Sequence, residues 1–177
     1  LYHNKEDLNA AKSILVKGKA NVASSIKIPL RLAGIYENDK DYQKAIDVYR
    51  EANKSNPDNL VVINNFASML LDYSDDKADL NLAKSLTDKL KESSQPVFLD
   101  TVGWVYYKLG SYQEAIKYFT KVVEKSPDIN VFNYHLGMAL YKSSDEVSAK
   151  TYLSKAVSHN GDFPGKADAE ASLRKLQ

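Results

Sequence analysis

The stretch DYQKAIDVYREANKSNPDN, which begins at Asp41, returns as SYQEAIKYFTKVVEKSPDIN at Ser111, 70 residues later. A chain that repeats itself builds one small unit several times, and each unit buries its apolar face only against its neighbours. The shift carries Tyr36 onto Tyr106, Tyr42 onto Tyr112, Ala45 onto Ala115, Tyr49 onto Phe119 and Pro57 onto Pro127. Half of it is close to a 34-residue shift that carries Gly103 onto Gly137, Ala115 onto Ala149 and Phe119 onto Leu153. The same shift takes Tyr2 to Tyr36, Ala11 to Ala45 and Leu15 to Tyr49 at the front of the chain.

The unit is helical. Ala115, Ile116, Phe119, Val122 and Val123 recur at steps of three and four, and no segment alternates as a half-exposed strand would. Gly103 and Ala115 are small enough to let two helices approach closely, while Tyr106 and Phe119 fill the space between hairpins. Pro57 and Pro127 stop the second helix, and Asp41 and Gly110 mark turns. These positions resemble the tetratricopeptide repeat family, whose 34-residue helix–turn–helix units carry a small residue and an aromatic on the first helix. On the second helix the family has alanine and a large apolar residue, with proline at the exit.

The resemblance implies an all-α, right-handed superhelical solenoid of hairpins with a C-terminal capping helix. Residues 1–177 are then a single array: a truncated repeat over 1–25, full units at 26–59, 60–95, 96–129 and 130–163, and the cap at 164–177. The third unit carries Gly103, Tyr106, Ala115, Phe119 and Pro127; the first carries Ala33, Tyr36, Ala45, Tyr49, Ala52 and Pro57. The fourth keeps Gly137, Ala149, Leu153 and Ala156 but has Leu140 for the aromatic and Gly161 for the proline. The second departs most. A strict shift puts Asp79 at the second-helix alanine, and Ala83 fills that place only if the turn lengthens. In the cap, Ala169, Leu173 and Leu176 share one helical face. The front half-unit reads as a piece of a longer protein, which leaves Leu8, Ala11 and Leu15 as an uncapped apolar face open to self-association.

Composition excludes several function classes. A formal charge of +1 supplies no field for a nucleic-acid backbone, and no stretch approaches the roughly 20 apolar residues of a membrane span. Without cysteine there is no thiol nucleophile and no cysteine-ligated zinc. His3, His135 and His159 lie far apart, outside metal-ligand spacing, and no phosphate-binding, nucleophile-elbow or dinucleotide fingerprint occurs. Asp72, Asp75, Asp76 and Asp79 lack the glycine and terminal glutamate of a calcium loop, so they read as a solvated turn. No catalytic residue, metal site or cofactor is expected.

Binding remains. The resemblance implies that first helices line a concave face and hold a protein or peptide. Carried over, that face is Lys27 and Arg31 in the first unit, then Asn64, Asn65 and Ser68 in the second. It continues with Asp100, Thr101, Trp104 and Tyr107 in the third, and Tyr134, His135, Met138 and Tyr141 in the fourth. In one reading Lys27 and Arg31 hold an anionic group, the asparagines bond a peptide backbone, and Trp104 with Tyr107 and Tyr134 buries a side chain. Lys27 and Arg31 resemble the basic pair of carboxylate-clamp repeats, although the asparagine and second lysine expected before them are not visible. In the other reading the rings only support packing and the cations are solvated.

INNFASMLLDYSDD, FLDTVGWVYYKLGSYQEAI, VFNYHLGMALYKSSD and FPGKADAEASLRKL resemble, over about residues 60–177, bacterial repeat lipoproteins accompanying exosortase and exopolysaccharide systems. That resemblance implies a periplasm-facing envelope protein scaffolding polysaccharide or surface-protein export; without it, a cytoplasmic location is expected. A self-assembly module, or the regulatory repeat domain of a larger protein, are the alternatives.

Overall fold

The computed structural model describes residue 13 and residues 26–158 and 161–176, and every regular element among them is helical. The chain divides into two compact units, Leu1–Lys89 and Leu90–Gln177. In the first unit α1 (Lys27–Asn38) pairs with α2 (Tyr42–Ser55), and α3 (Leu60–Tyr73) with α4 (Lys77–Thr87). A 3-10 turn, Asp88–Leu90, follows. In the second unit α5 (Pro96–Lys108) pairs with α6 (Tyr112–Lys125), and α7 (Asn130–Lys142) with α8 (Glu146–Ser158). There α9 (Lys166–Lys175) packs on α7 and α8. Among the described residues no helix is long and apolar enough to cross a membrane.

Local chemistry sets these boundaries. Asn59 Oδ1 accepts from the amides of Val61 and Val62, and Asp76 Oδ1 from that of Ala78, so both helices begin with a side-chain cap. Pro96 sits in the first turn of α5, where its missing donor costs nothing. Three hairpin turns contain a left-handed residue: Lys40, Gly110 and Ser144, at φ of 60°, 74° and 67°.

The repeat's small residues sit where helices touch. Ala33 and Ala45 are fully buried in the first hairpin, as are Ala115 and Ala149 in the second unit. A Cβ built on Gly103 would stand 2.5 Å from the Phe119 ring, and one on Gly137 would stand 2.7 Å from Leu153. In both hairpins glycine makes room for the large residue of the second helix.

The second hairpin solves its missing alanine differently. Ala83 is fully buried, but it is the seventh residue of α4, whereas Ala45, Ala115 and Ala149 are the fourth of their helices. The extra length is helix rather than turn. It holds Asp79, which accepts from Ser74 Oγ at 2.7 Å and lies 3.7 Å from Arg50.

Candidate functional site

Five of the thirteen expected binding residues come together on α5 and α7: Asp100, Trp104, Tyr107, Tyr134 and His135. Their centre is a hydrogen-bonded pair between the two helices. His135 Nδ1 lies 2.9 Å and 3.0 Å from the two carboxylate oxygens of Asp100. An ionised carboxylate only accepts, so Nδ1 carries the proton and donates to it. The indole of Trp104 stacks on the imidazole at 4.1 Å, and Tyr107 stacks on the indole at 4.6 Å with the rings 2° from parallel. Tyr134 and Phe119 meet the indole obliquely at 6.1 Å and 6.5 Å, and the Lys108 ammonium lies 5.3 Å from its centroid.

Most of this cluster is buried: Asp100 is 7% exposed, His135 8% and Trp104 9%. Tyr107 stays half-buried, and burial, then Tyr112 and Asp168, push its phenol up to about 12. Thr101 is buried, with its hydroxyl donating to the Val97 carbonyl at 3.2 Å. Met138 is covered by α9, whose Ser172 Oγ reaches its sulfur at 3.5 Å. The approach to α9 also covers Tyr134, which meets Phe163 at 5.9 Å and fits so closely under Gly165 that a Cβ there would overlap its ring. Tyr141 is half-buried.

The other expected residues belong to the first unit. Lys27 and Arg31 are exposed on α1. On α3, Asn64 is buried and donates from Nδ2 to Asn65 Oδ1 at 3.2 Å, while Asn65 and Ser68 are half-buried. Behind them the Tyr49 hydroxyl donates to Glu37 at 2.8 Å. Burial and the Glu37 carboxylate raise that phenol strongly, and a hydrogen bond with Asn65 offsets part of the rise. Leu8, Ala11, Leu15, His3 and His159 lie outside the described residues.

Two features of this surface escaped the sequence reading. The segment covering Tyr134 and Met138 reads in sequence only as a cap. Lys142 escaped as well, although the 34-residue shift from Lys108 points to it. Among the described residues no group of three or more metal-ligating side chains assembles.

A face of paired first helices, buried at its base and partly open above, is the geometry of a repeat protein. Residues 96–129 and 30–59 each match a tetratricopeptide repeat family. The chain is a tetratricopeptide-repeat protein, a class that is in general non-catalytic and scaffolding. A repeat-containing protein of Borreliella burgdorferi is 28% identical over 82 residues, 46% of this chain and 34% of its own length. The chain spans between about a quarter and a third of the length of the curated relatives it matches. PilW, described as a widely conserved type IV pilus biogenesis factor, has the same fold: TM-score 0.72 at 17% identity, covering 97% of this chain and 83% of that one. YrrB, described as a repeat protein with an unusual peptide-binding site, gives TM-score 0.62 at 16% identity, covering 92% and 81%.

Proposed function

We propose that the chain is a non-catalytic scaffold that takes a peptide or protein segment along the first helices of its repeats, divided as 26–59, 60–95, 96–129 and 130–163. The observation that carries this is the Asp100–His135 pair under Trp104. Apolar residues of similar shape can be as stable as a buried hydrogen-bonded polar pair, or more so, so packing alone gives no reason for one here. What the pair does is fix the imidazole, and through it the stacked Trp104 and Tyr107 rings, before any partner arrives. A preorganised floor lowers the ordering cost of binding. Its accessible upper part is Tyr107 and Tyr141.

The test is an array of random dodecapeptides probed with the intact chain. Y107A/Y141A weakens the retained peptides by about tenfold, with helicity and melting nearly unchanged. An array that retains nothing, or binding indifferent to both tyrosines, overturns the reading. Trp104 is too buried to serve, because its loss would unfold the site.

We place the assembly at a bacterial envelope, in polysaccharide or protein export. Two things support this: the resemblance of residues 60–177 to exopolysaccharide-associated repeat lipoproteins, and the fold shared with a pilus biogenesis factor. Fractionation of the source cells with an antibody to the native protein tests it, and recovery in the cytosol alone sinks it.

A further inference from the structure

The 70-residue shift that reveals the repeat also compares two seams between hairpins. In the unit Leu1–Lys89, α2 begins with Tyr42 and α3 ends with Tyr73. Their rings stack face to face, 3.6 Å between centroids and 15° from parallel, and the Tyr73 hydroxyl donates to that of Tyr42. In the unit Leu90–Gln177 the same shift gives Tyr112, which begins α6, and Ser143, which follows the last residue of α7. The platform is kept, and the ring that covers it is gone.

In place of that ring lies an open cleft of about 320 Å³, lined by residues 110–114 and Ser143. Sites for small molecules begin at about 300 Å³. Gly110 replaces Lys40 under the same shift, and space is open where its Cβ would stand. Ser143 does not fill the cleft, because its hydroxyl donates to the Leu140 carbonyl at 2.9 Å. Tyr112 is half-buried, and Tyr107 meets it obliquely at 5.6 Å. Glu114 is held by Lys117.

A small residue beside a large one often leaves a dent without consequence. Two observations set this one apart. Lys77 and Glu146 begin the other second helices, so among the described residues the aromatic platform belongs to two seams. One of those seams is filled, and its occupant is a planar phenol lying on the tyrosine face.

We propose that the Tyr112 cleft binds a tyrosine side chain of a partner protein, its ring on Tyr112 in the place that Tyr73 takes on Tyr42. The site lies beside Tyr107, off the first-helix floor, and does not depend on that floor being a docking face. A sugar ring fits less well, because it is puckered where the first unit's occupant is flat.

The experiment is titration of the intact chain with N-acetyl-tyrosinamide, followed by amide NMR. The signals of Tyr112, Gln113 and Ser143 move. N-acetyl-leucinamide binds about fivefold more weakly, the size of one aromatic stacking contact. Y112L keeps apolar bulk and melting close to the parent's but loses the shifts, and S143Y closes the cleft from within and loses them too. Y73S uncovers Tyr42 and adds a second set of shifts around Tyr42 and Gln43. Shifts that survive Y112L or S143Y overturn the site. Equal binding of the leucine probe, or of cellobiose, overturns the ring assignment. A Tyr42 seam that stays empty in Y73S overturns the comparison of seams and the proposal with it. Without shifts at Tyr112 the proposal falls, whatever peptides are held at Tyr107 and Tyr141.

Discussion

His135 reaches from α7 to grip both carboxylate oxygens of Asp100 on α5, and Trp104 lies flat over the imidazole. The side chains are only 11% and 10% exposed, so each partner depends on the other for its hydrogen bond. Asp100→Ala leaves the buried imidazole donor unsatisfied and Asp100→Asn weakens its hold, so the alanine variant loses about 1–3 kcal/mol. The double variant D100A/H135A loses less than the sum of the two singles. Thermal unfolding of the four-member cycle measures the coupling, and additive losses would show that the pair does not act as one.

Gly103 and Gly137 have no room to grow. Gly103→Ala drives a methyl into Phe119 and Gly137→Ala drives one into Leu153, and each costs about 1–3 kcal/mol. Gly34, inside α1 with open space where a Cβ would stand, behaves oppositely: Gly34→Ala stabilises by about 0.5–1 kcal/mol. Urea unfolding of the three variants checks both signs at once.

The phenols give a pH dependence. Tyr107 is raised from 10.0 to about 12 by burial first, then by Tyr112 and Asp168. A raised folded-state value means that the folded chain holds this proton more tightly than the unfolded one. The resulting stability is whole below pH 10 and is lost as pH climbs through about 12. Tyr73 is raised to about 12 by burial and Tyr42, so it adds to the same loss. Unfolding measured at about pH 9 and about pH 11 shows the decline. Tyr107→Phe removes part of it, and an unchanged difference in that variant refutes the assignment.

Ser144 sits at φ 67° in the turn between α7 and α8, where the equivalent turn of the preceding hairpin uses Gly110 at 74°. A side chain there crowds the backbone, so Ser144→Gly raises stability by about 1 kcal/mol and Gly110→Ala lowers it by a similar amount. Melting temperatures of the two variants move in opposite directions.

The fold was legible because repetition reports its own packing. The shift aligning Gly103 with Gly137 and Phe119 with Leu153 also states which residues meet, and the close approaches follow it. The binding face was legible as a set of positions, but its depth was not. Nothing in a linear pattern shows that a carboxylate on one first helix meets an imidazole almost one repeat later. Asp100 and His135 therefore read as two separate surface contacts until the helices were side by side. Trp104 was similarly hidden, because an indole on a first helix looks the same in sequence whether it faces a partner or lies between His135 and Tyr107.

The displaced alanine of the second hairpin bears on how such a chain can change length. Ala83 stands three residues deeper into its helix than its counterparts do. An insertion near 3.6 residues advances a helix by one turn and returns the same face to the same side. Gains of three or four residues at the front of a second helix therefore leave the seam closed, whereas gains of one or two rotate it open. Length variants of this hairpin should come in steps of a helical turn.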